Sequence, residues 1–129
     1  MPHLVLEYTA NVPDEPDPDR VLRRLHETLA KSGPFDLANV RSRLVRHEGF
    51  RIADGAPDRA FVHLTVSVLA GREADVLRGT GEALVAALRA SFPRAAAERR
   101  CDFTVELREM RKDLYFKTRE ALPRPSDGG

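Results

Sequence analysis

The residue best suited to do chemistry is the second one. Pro2 directly follows Met1, and methionine removal, which requires a small second residue, would leave a free secondary amine at the start of the mature chain. An amine acts as a base only in its neutral form. A terminal amine has a pKa of about 8, so roughly one in ten is neutral at pH 7. Burial and nearby cations both disfavour the charged form. Lowering the pKa to about 6.5 costs roughly 2 kcal/mol and brings the base close to the pH at which general acid–base catalysis works best. Pro2 therefore needs an apolar recess with cations beside it.

Arginine is the available cation, since Lys occurs only at positions 31, 112 and 117. Guanidinium groups grip carboxylates through two parallel hydrogen bonds, so an anion site here would be built from them. In Val40-Arg41-Ser42-Arg43 a period of two puts Arg41 and Arg43 on the face opposite Val40 and Leu44. Arg72 follows Ala70-Gly71, where a strand gives way to a helix. The mouth of such a turn, lined with backbone N–H groups, is a usual place for an anionic ligand. Outside such a site, each arginine would serve as a solvated charge or an intersubunit salt bridge.

Other chemistries lack their residues. There is no Gly-rich phosphate loop, His-Glu-x-x-His helix, nucleophile elbow or paired-Cys zinc spacing. His3, His26, His47 and His63 are scattered singly, and each reads as a satisfied structural histidine. His3 and His63 sit in strands, but no third ligand joins them, so no metal is expected. Cys101 is the one cysteine, which excludes an intrachain disulfide; it reads as a buried structural thiol.

The chain of 129 residues suits one domain, expected over residues 1–118 with a disordered tail at 119–129. A hydrophobic fraction of 42% permits a real core. Charged residues make up 32% and nearly cancel to a net +1, which argues against a nucleic-acid footprint. No apolar run approaches the roughly 20 residues of a membrane span, and no targeting segment opens the chain, so a soluble cytoplasmic protein is expected.

The elements that must position these groups follow from periodicity. In His3 to Thr9, Leu4, Leu6 and Tyr8 alternate with His3, Val5 and Glu7, a strand that would tie the terminus into a sheet. A helix is predicted from Pro18 to Lys31, with Val21, Leu22, Leu25 and Leu29 on one face, ended by Ser32-Gly33-Pro34 with Gly33 as a left-handed cap. A strand follows over Asn39 to His47. Phe50 to Arg59 carries turn chemistry, with room for a short edge strand. Ala60 to Leu69 alternates cleanly, Glu73 to Ser91 reads as a helix stopped by Pro93, and Cys101 to Glu109 is the last strand. The fold class is α/β (α+β): tandem βαβ units forming a four-stranded sheet with two helices on one face and right-handed crossovers. The other face, with Val45 and Phe61, must meet solvent or a partner subunit, so oligomerisation is expected. Tyr115 and Phe116 are expected to dock on a neighbour or on the sheet.

With these residues in view, the chain resembles the 5-carboxymethyl-2-hydroxymuconate isomerase family of the tautomerase superfamily. The resemblance rests on Met1-Pro2-His3 continuing to Glu7-Tyr8, Val40-Arg41-Ser42-Arg43, Ala53-Asp54-Gly55, Ala60-Phe61-Val62-His63 and Ala70-Gly71-Arg72. It spans most of residues 1–110 in the family's order and weakens beyond Met110, where only Leu114 and Phe116-Lys117 correspond. It implies a homotrimer of tandem βαβ subunits with active sites near subunit boundaries. It also implies a cofactor-free isomerase of aromatic catabolism, in the homoprotocatechuate pathway, converting an unsaturated hydroxy-tricarboxylate to its 2-oxo-3-ene isomer. Pro2 would carry the proton-shuttling nitrogen, Arg41 and Arg72 would hold carboxylates and polarise the oxo group, and Arg43 would be a third such arginine.

Rival readings are a tautomerase acting on a different oxo/enol carboxylate, a non-catalytic trimeric α/β binding module, and a ferredoxin-like RNA-binding domain. Substrate charge separates the first, since a monocarboxylate could dispense with one of Arg41 and Arg72. Retention of Met1 would mark the second, because Pro2 would then be an amide. The third would need more stacking aromatics than Phe61 and Phe103 on the sheet.

Overall fold

A computed structural model describes residues 2–118. The expected tail at 119–129 lies outside the described residues.

Alternation sets the sheet. On β1 (His3–Thr9), Leu4, Leu6 and Tyr8 are buried, while His3, Val5 and Glu7 are half-buried on the other side. On β3 (Arg59–Leu69), every second residue from Ala60 to Val68 is fully buried. With β2 (Arg41–His47) and β4 (Arg100–Met110) they form a four-stranded sheet in the order β2-β1-β3-β4. β1 runs parallel to β2, β3 runs parallel to β4, and β1 and β3 are antiparallel. The two parallel pairs are the tandem βαβ units read from the sequence.

The connecting helices bury their apolar stripes on the Leu4 and Val62 side. α1 (Pro18–Ser32) contributes Val21, Leu25 and Leu29, and α2 (Ala74–Ser91) contributes Leu84 and Leu88. Each such leucine taken from water is worth about 2 kcal/mol. Pro18 starts α1 where its missing N–H costs no hydrogen bond, and Asp19 and Lys31 lie at the ends that suit their charges.

Two local expectations need correction, and one, at Pro93, holds but is extended. Gly33 is not a left-handed cap: its φ of −175° and ψ of −173° are extended backbone. Its missing side chain is what matters, because a Cβ there would lie 2.9 Å from Phe35 Cε2 and 3.1 Å from Val76 Cγ1. Pro93 stops α2 but also opens a third helix, α3 (Pro93–Glu98), as its first residue. The carboxylate of Asp14, far away in sequence, accepts the N–H groups of Arg94 and Ala95 at 2.7 and 2.8 Å and so caps α3. Between His47 and Arg59 there is no edge strand. Asp54 accepts from Ala56 N–H and Arg59 Nε, which holds this segment as a loop, with Ala53 and Gly55 at positive φ.

Candidate active site

One end of the sheet gathers the starts of β1 and β2 with the ends of β3 and β4. Pro2 sits there, buried. Its carbonyl accepts the Arg41 N–H at 3.0 Å, which fastens the residue to the first position of β2. Pleat alternation puts Pro2 on the helix-facing side with Leu4, and His3 on the outer side with its cross-strand partner Arg41.

Arg72 stands on the helix-facing side. β3 ends at Leu69, and Gly71 turns the chain at φ +122°, a conformation that favours glycine. A Cβ at Gly71 would also lie 3.2 Å from Lys112 Nζ. The turn directs the Arg72 guanidinium over the Phe35 ring, 4.4 Å from its centroid. Nη1 donates to Leu69 O at 3.1 Å, and Nη2 reaches Pro34 O at 3.5 Å. Nε is buried with no partner. A buried N–H left unbonded costs free energy, so a donor in this state suits an acceptor supplied by a ligand.

Arg41 and Arg43 are exposed on the outer face, paired across the strands with His3 and Val5. Arg41 Nη1 donates to Asn39 O at 3.1 Å. His3 Nε2 and Tyr115 Oη share a 2.6 Å hydrogen bond, their rings edge to face at 5.9 Å. Tyr115 thus docks on the sheet as expected, whereas Phe116 is exposed. Burial, then the charges of Arg41 and Arg43, lower the pKa of His3 below its ordinary 6.5. The structure therefore joins Pro2 to Arg41 through the backbone and sets Arg72 at the turn after β3, at the same end of the sheet. It does not place Arg41 and Arg72 on the same face of this chain, and Arg43 lies two residues farther along β2.

The remaining histidines are occupied. His26 Nε2 meets Ser42 Oγ at 2.6 Å, His47 Nε2 meets Glu7 Oε1 at 2.9 Å, and His63 Nδ1 meets Thr104 Oγ1 at 2.6 Å. Cys101 is half-buried against the core rather than fully buried as expected, and burial still pushes its thiol up to about 11, the behaviour of an inert thiol. Among the described residues no group of three or more metal-ligating side chains converges, and no helix is long and apolar enough to cross a membrane.

Phe35 escaped the sequence reading. It lies in an irregular segment with no periodicity, and only the fold reveals that it stacks beneath Arg72. The Gly33-Pro34-Phe35 spacing, which sets a ring two residues after a helix stop, was the available signal.

A family model described as 5-carboxymethyl-2-hydroxymuconate isomerase matches residues 2–124 of the chain, a span that includes Pro2, Arg41 and Arg72. The chain belongs to this family. The 5-carboxymethyl-2-hydroxymuconate Delta-isomerase of Escherichia coli is 32% identical over 117 residues, 91% of this chain and 93% of the relative. The crystal structure of a 5-carboxymethyl-2-hydroxymuconate isomerase from Deinococcus radiodurans R1 superposes with a TM-score of 0.83 at 36% identity, covering 92% of this chain and 90% of that one. A fused 4-OT wild type symmetric trimer shares the fold at a TM-score of 0.67 and 23% identity, covering 85% and 86% of the two chains. The protein is an isomerase with a tautomerase-like fold, and the comparisons favour neither the non-catalytic binding module nor a tautomerase acting on a different oxo/enol carboxylate.

Proposed function

We propose that this isomerase converts 5-carboxymethyl-2-hydroxymuconate to its 2-oxo-3-ene isomer, with the free nitrogen of Pro2 carrying the proton and no metal or organic cofactor taking part. Neutral Pro2 nitrogen takes the proton of the 2-hydroxyl group. The electron pair left on oxygen moves through the conjugated system, and the secondary ammonium returns the proton to the distal carbon. Proton number and charge are thus restored in the enzyme after each turnover.

Arg72 holds a substrate carboxylate and stabilises the dienolate charge, the larger share of catalysis in reactions of this kind. Arg41 holds another carboxylate, with Arg43 as the third guanidinium, and charge-assisted contacts of this kind fix the reacting carbons near Pro2. The enzyme works in the cytoplasm as a homotrimer. That assembly would cover the sheet face that carries no helices, where Val5, Val45 and Phe61 are only half-buried. It would also let the arginines of one face serve the Pro2 of a neighbouring subunit.

The observation that carries this reading is the placement of Pro2: buried at a strand start, fixed by the Arg41 N–H, at the end of the sheet that also carries the turn whose arginine keeps an unpartnered buried donor. Replacing Pro2 tests it. After intact-mass measurement confirms that Met1 is gone, Pro2→Ala should lower turnover on the hydroxymuconate by about 100-fold or more with folding unchanged. Activity within a few-fold of native would refute the base.

A further inference from the structure

Resting on the reading of Arg72 as a carboxylate-binding group, we propose that Phe35 is a positioning residue for the reaction: its buried ring, given room by the missing side chain of Gly33, fixes the plane of the Arg72 guanidinium so that its Nε–Nη2 edge meets the substrate.

An arginine side chain at the mouth of a turn has many rotamers, and binding an anion through it means freezing one of them. Here one geometry is already selected. The ring lies 4.4 Å from the guanidinium carbon and is only 6% exposed, so the stacking is shielded from water, where cation–π attraction is strongest. Nη1 is committed to Leu69 O at 3.1 Å. Those two contacts fix the fork in position and in plane. Nη2 is held only by a 3.5 Å contact to Pro34 O, and Nε has no partner. What remains for a ligand is the Nε–Nη2 edge, which matches the two oxygens of a carboxylate.

The ring is held from behind as well. Phe35 N–H donates to Gly33 O at 2.8 Å, which draws the backbone into a tight bend and sets the ring over the helix stop. A Cβ on Gly33 would come within 2.9 Å of Phe35 Cε2, with Val76 Cγ1 of α2 at 3.1 Å leaving little room to retreat. Any side chain at position 33 must move the ring, and the ring moves the guanidinium. Gly33, Phe35 and Arg72 form one mechanical unit that ends at the substrate.

The test is a double-mutant cycle on binding, with a saturated tricarboxylate analogue of the hydroxymuconate as the probe in calorimetry. Phe35→Leu keeps an apolar side chain but removes the ring face. It should weaken binding about tenfold. In an Arg72→Ala background the same change should weaken binding less than about twofold, because the group that the ring positions is absent. Steady-state kinetics on the substrate should show the Phe35→Leu effect in both parameters, KM rising through the carboxylate contact and kcat falling through the dienolate contact, and neither should change further in the Arg72→Ala background. Should Phe35→Leu melt too low for measurement, Gly33→Ala completes the same cycle and should show the same coupling. Equal losses with and without Arg72, or unchanged binding by Phe35→Leu, would overturn the inference while leaving the isomerase reading intact. Failure of the native chain to bind the tricarboxylate at all would overturn the reading of Arg72, and this inference with it. Loss of the Pro2 role alone would leave the cycle unaffected.

Discussion

At the end of the sheet where β3 and β4 begin, Arg100 grips Asp58 through hydrogen bonds of 2.6 and 2.7 Å, and Arg59 Nε reaches Asp54 at 2.8 Å. Nearby, Arg94 takes both oxygens of Glu98. At the opposite end, Arg72 has two backbone carbonyls, an aromatic ring and no carboxylate among the described residues. The far end also leaves a buried atom unpaired, Asn11 Oδ1, but that atom carries no formal charge. A guanidinium matched by an acid of its own chain has its charge already answered. One that rests on carbonyls and a ring keeps its charge for an incoming anion. Arg99 at the first end also rests on two backbone carbonyls, and Arg111 at the second takes both oxygens of Asp113. The contrast therefore lies between individual arginines: Arg72 differs from these in adding a buried ring and an unpartnered buried Nε, the features on which we propose its role in holding substrate.

That contrast breaks most directly by truncating one arginine from each end. Arg72→Ala should lower kcat/KM on the hydroxymuconate by about 100-fold, through lost carboxylate and dienolate stabilisation. Arg100→Ala should leave kcat/KM within about twofold and lower Tm by a few degrees at most, because exposed ion pairs contribute little. Comparable activity losses from the two variants would erase the distinction.

A smaller effect sharpens the structural side. Asp14 caps α3 through two backbone N–H groups at the far end, so Asp14→Ala should destabilise the fold by about 1 kcal/mol without changing KM. A change in KM without a change in melting would place Asp14 in the substrate site instead.

The smallest expected effect is in pH dependence. His3 and His26 both have pKa values below the ordinary 6.5; burial is the leading cause for both, reinforced at His3 by Arg41 and Arg43. Between the folded-state values and 6.5, the unfolded chain binds more protons than the native one. Stability should therefore fall as pH drops through 6.5 and level off once the folded-state values are passed. Melting curves from pH 7.5 to 5 should show this decline, and His26→Gln should flatten it. A Tm independent of pH across that range would contradict the shifts.

Much of this is legible in the sequence. Alternation alone placed Leu4, Leu6, Tyr8 and the inner residues of β3 in the core, and it put Arg41 and Arg43 together on one face. Pro2 and Arg72 stood out because each adjoins a strand end where the chain has little freedom. What stayed hidden depended on contacts between distant segments. Period two relates residues within one strand, so it gave no warning that Arg41 and Arg72 lie on opposite sides of the sheet. Gly33 looked like a cap because its role is set by Val76 and Phe35, not by its own dihedrals. Pro93 looked only like a stop because the acid that starts the next helix, Asp14, lies far back in the chain.

The central claim is that the Pro2 nitrogen is uncharged at neutral pH, and a direct titration tests it. With ¹⁵N-labelled proline in the mature chain, the Pro2 resonance followed from pH 5 to 10 should show a midpoint below about 7, as burial and neighbouring guanidinium groups require. A midpoint above about 8, the ordinary range for a terminal amine, would contradict the account.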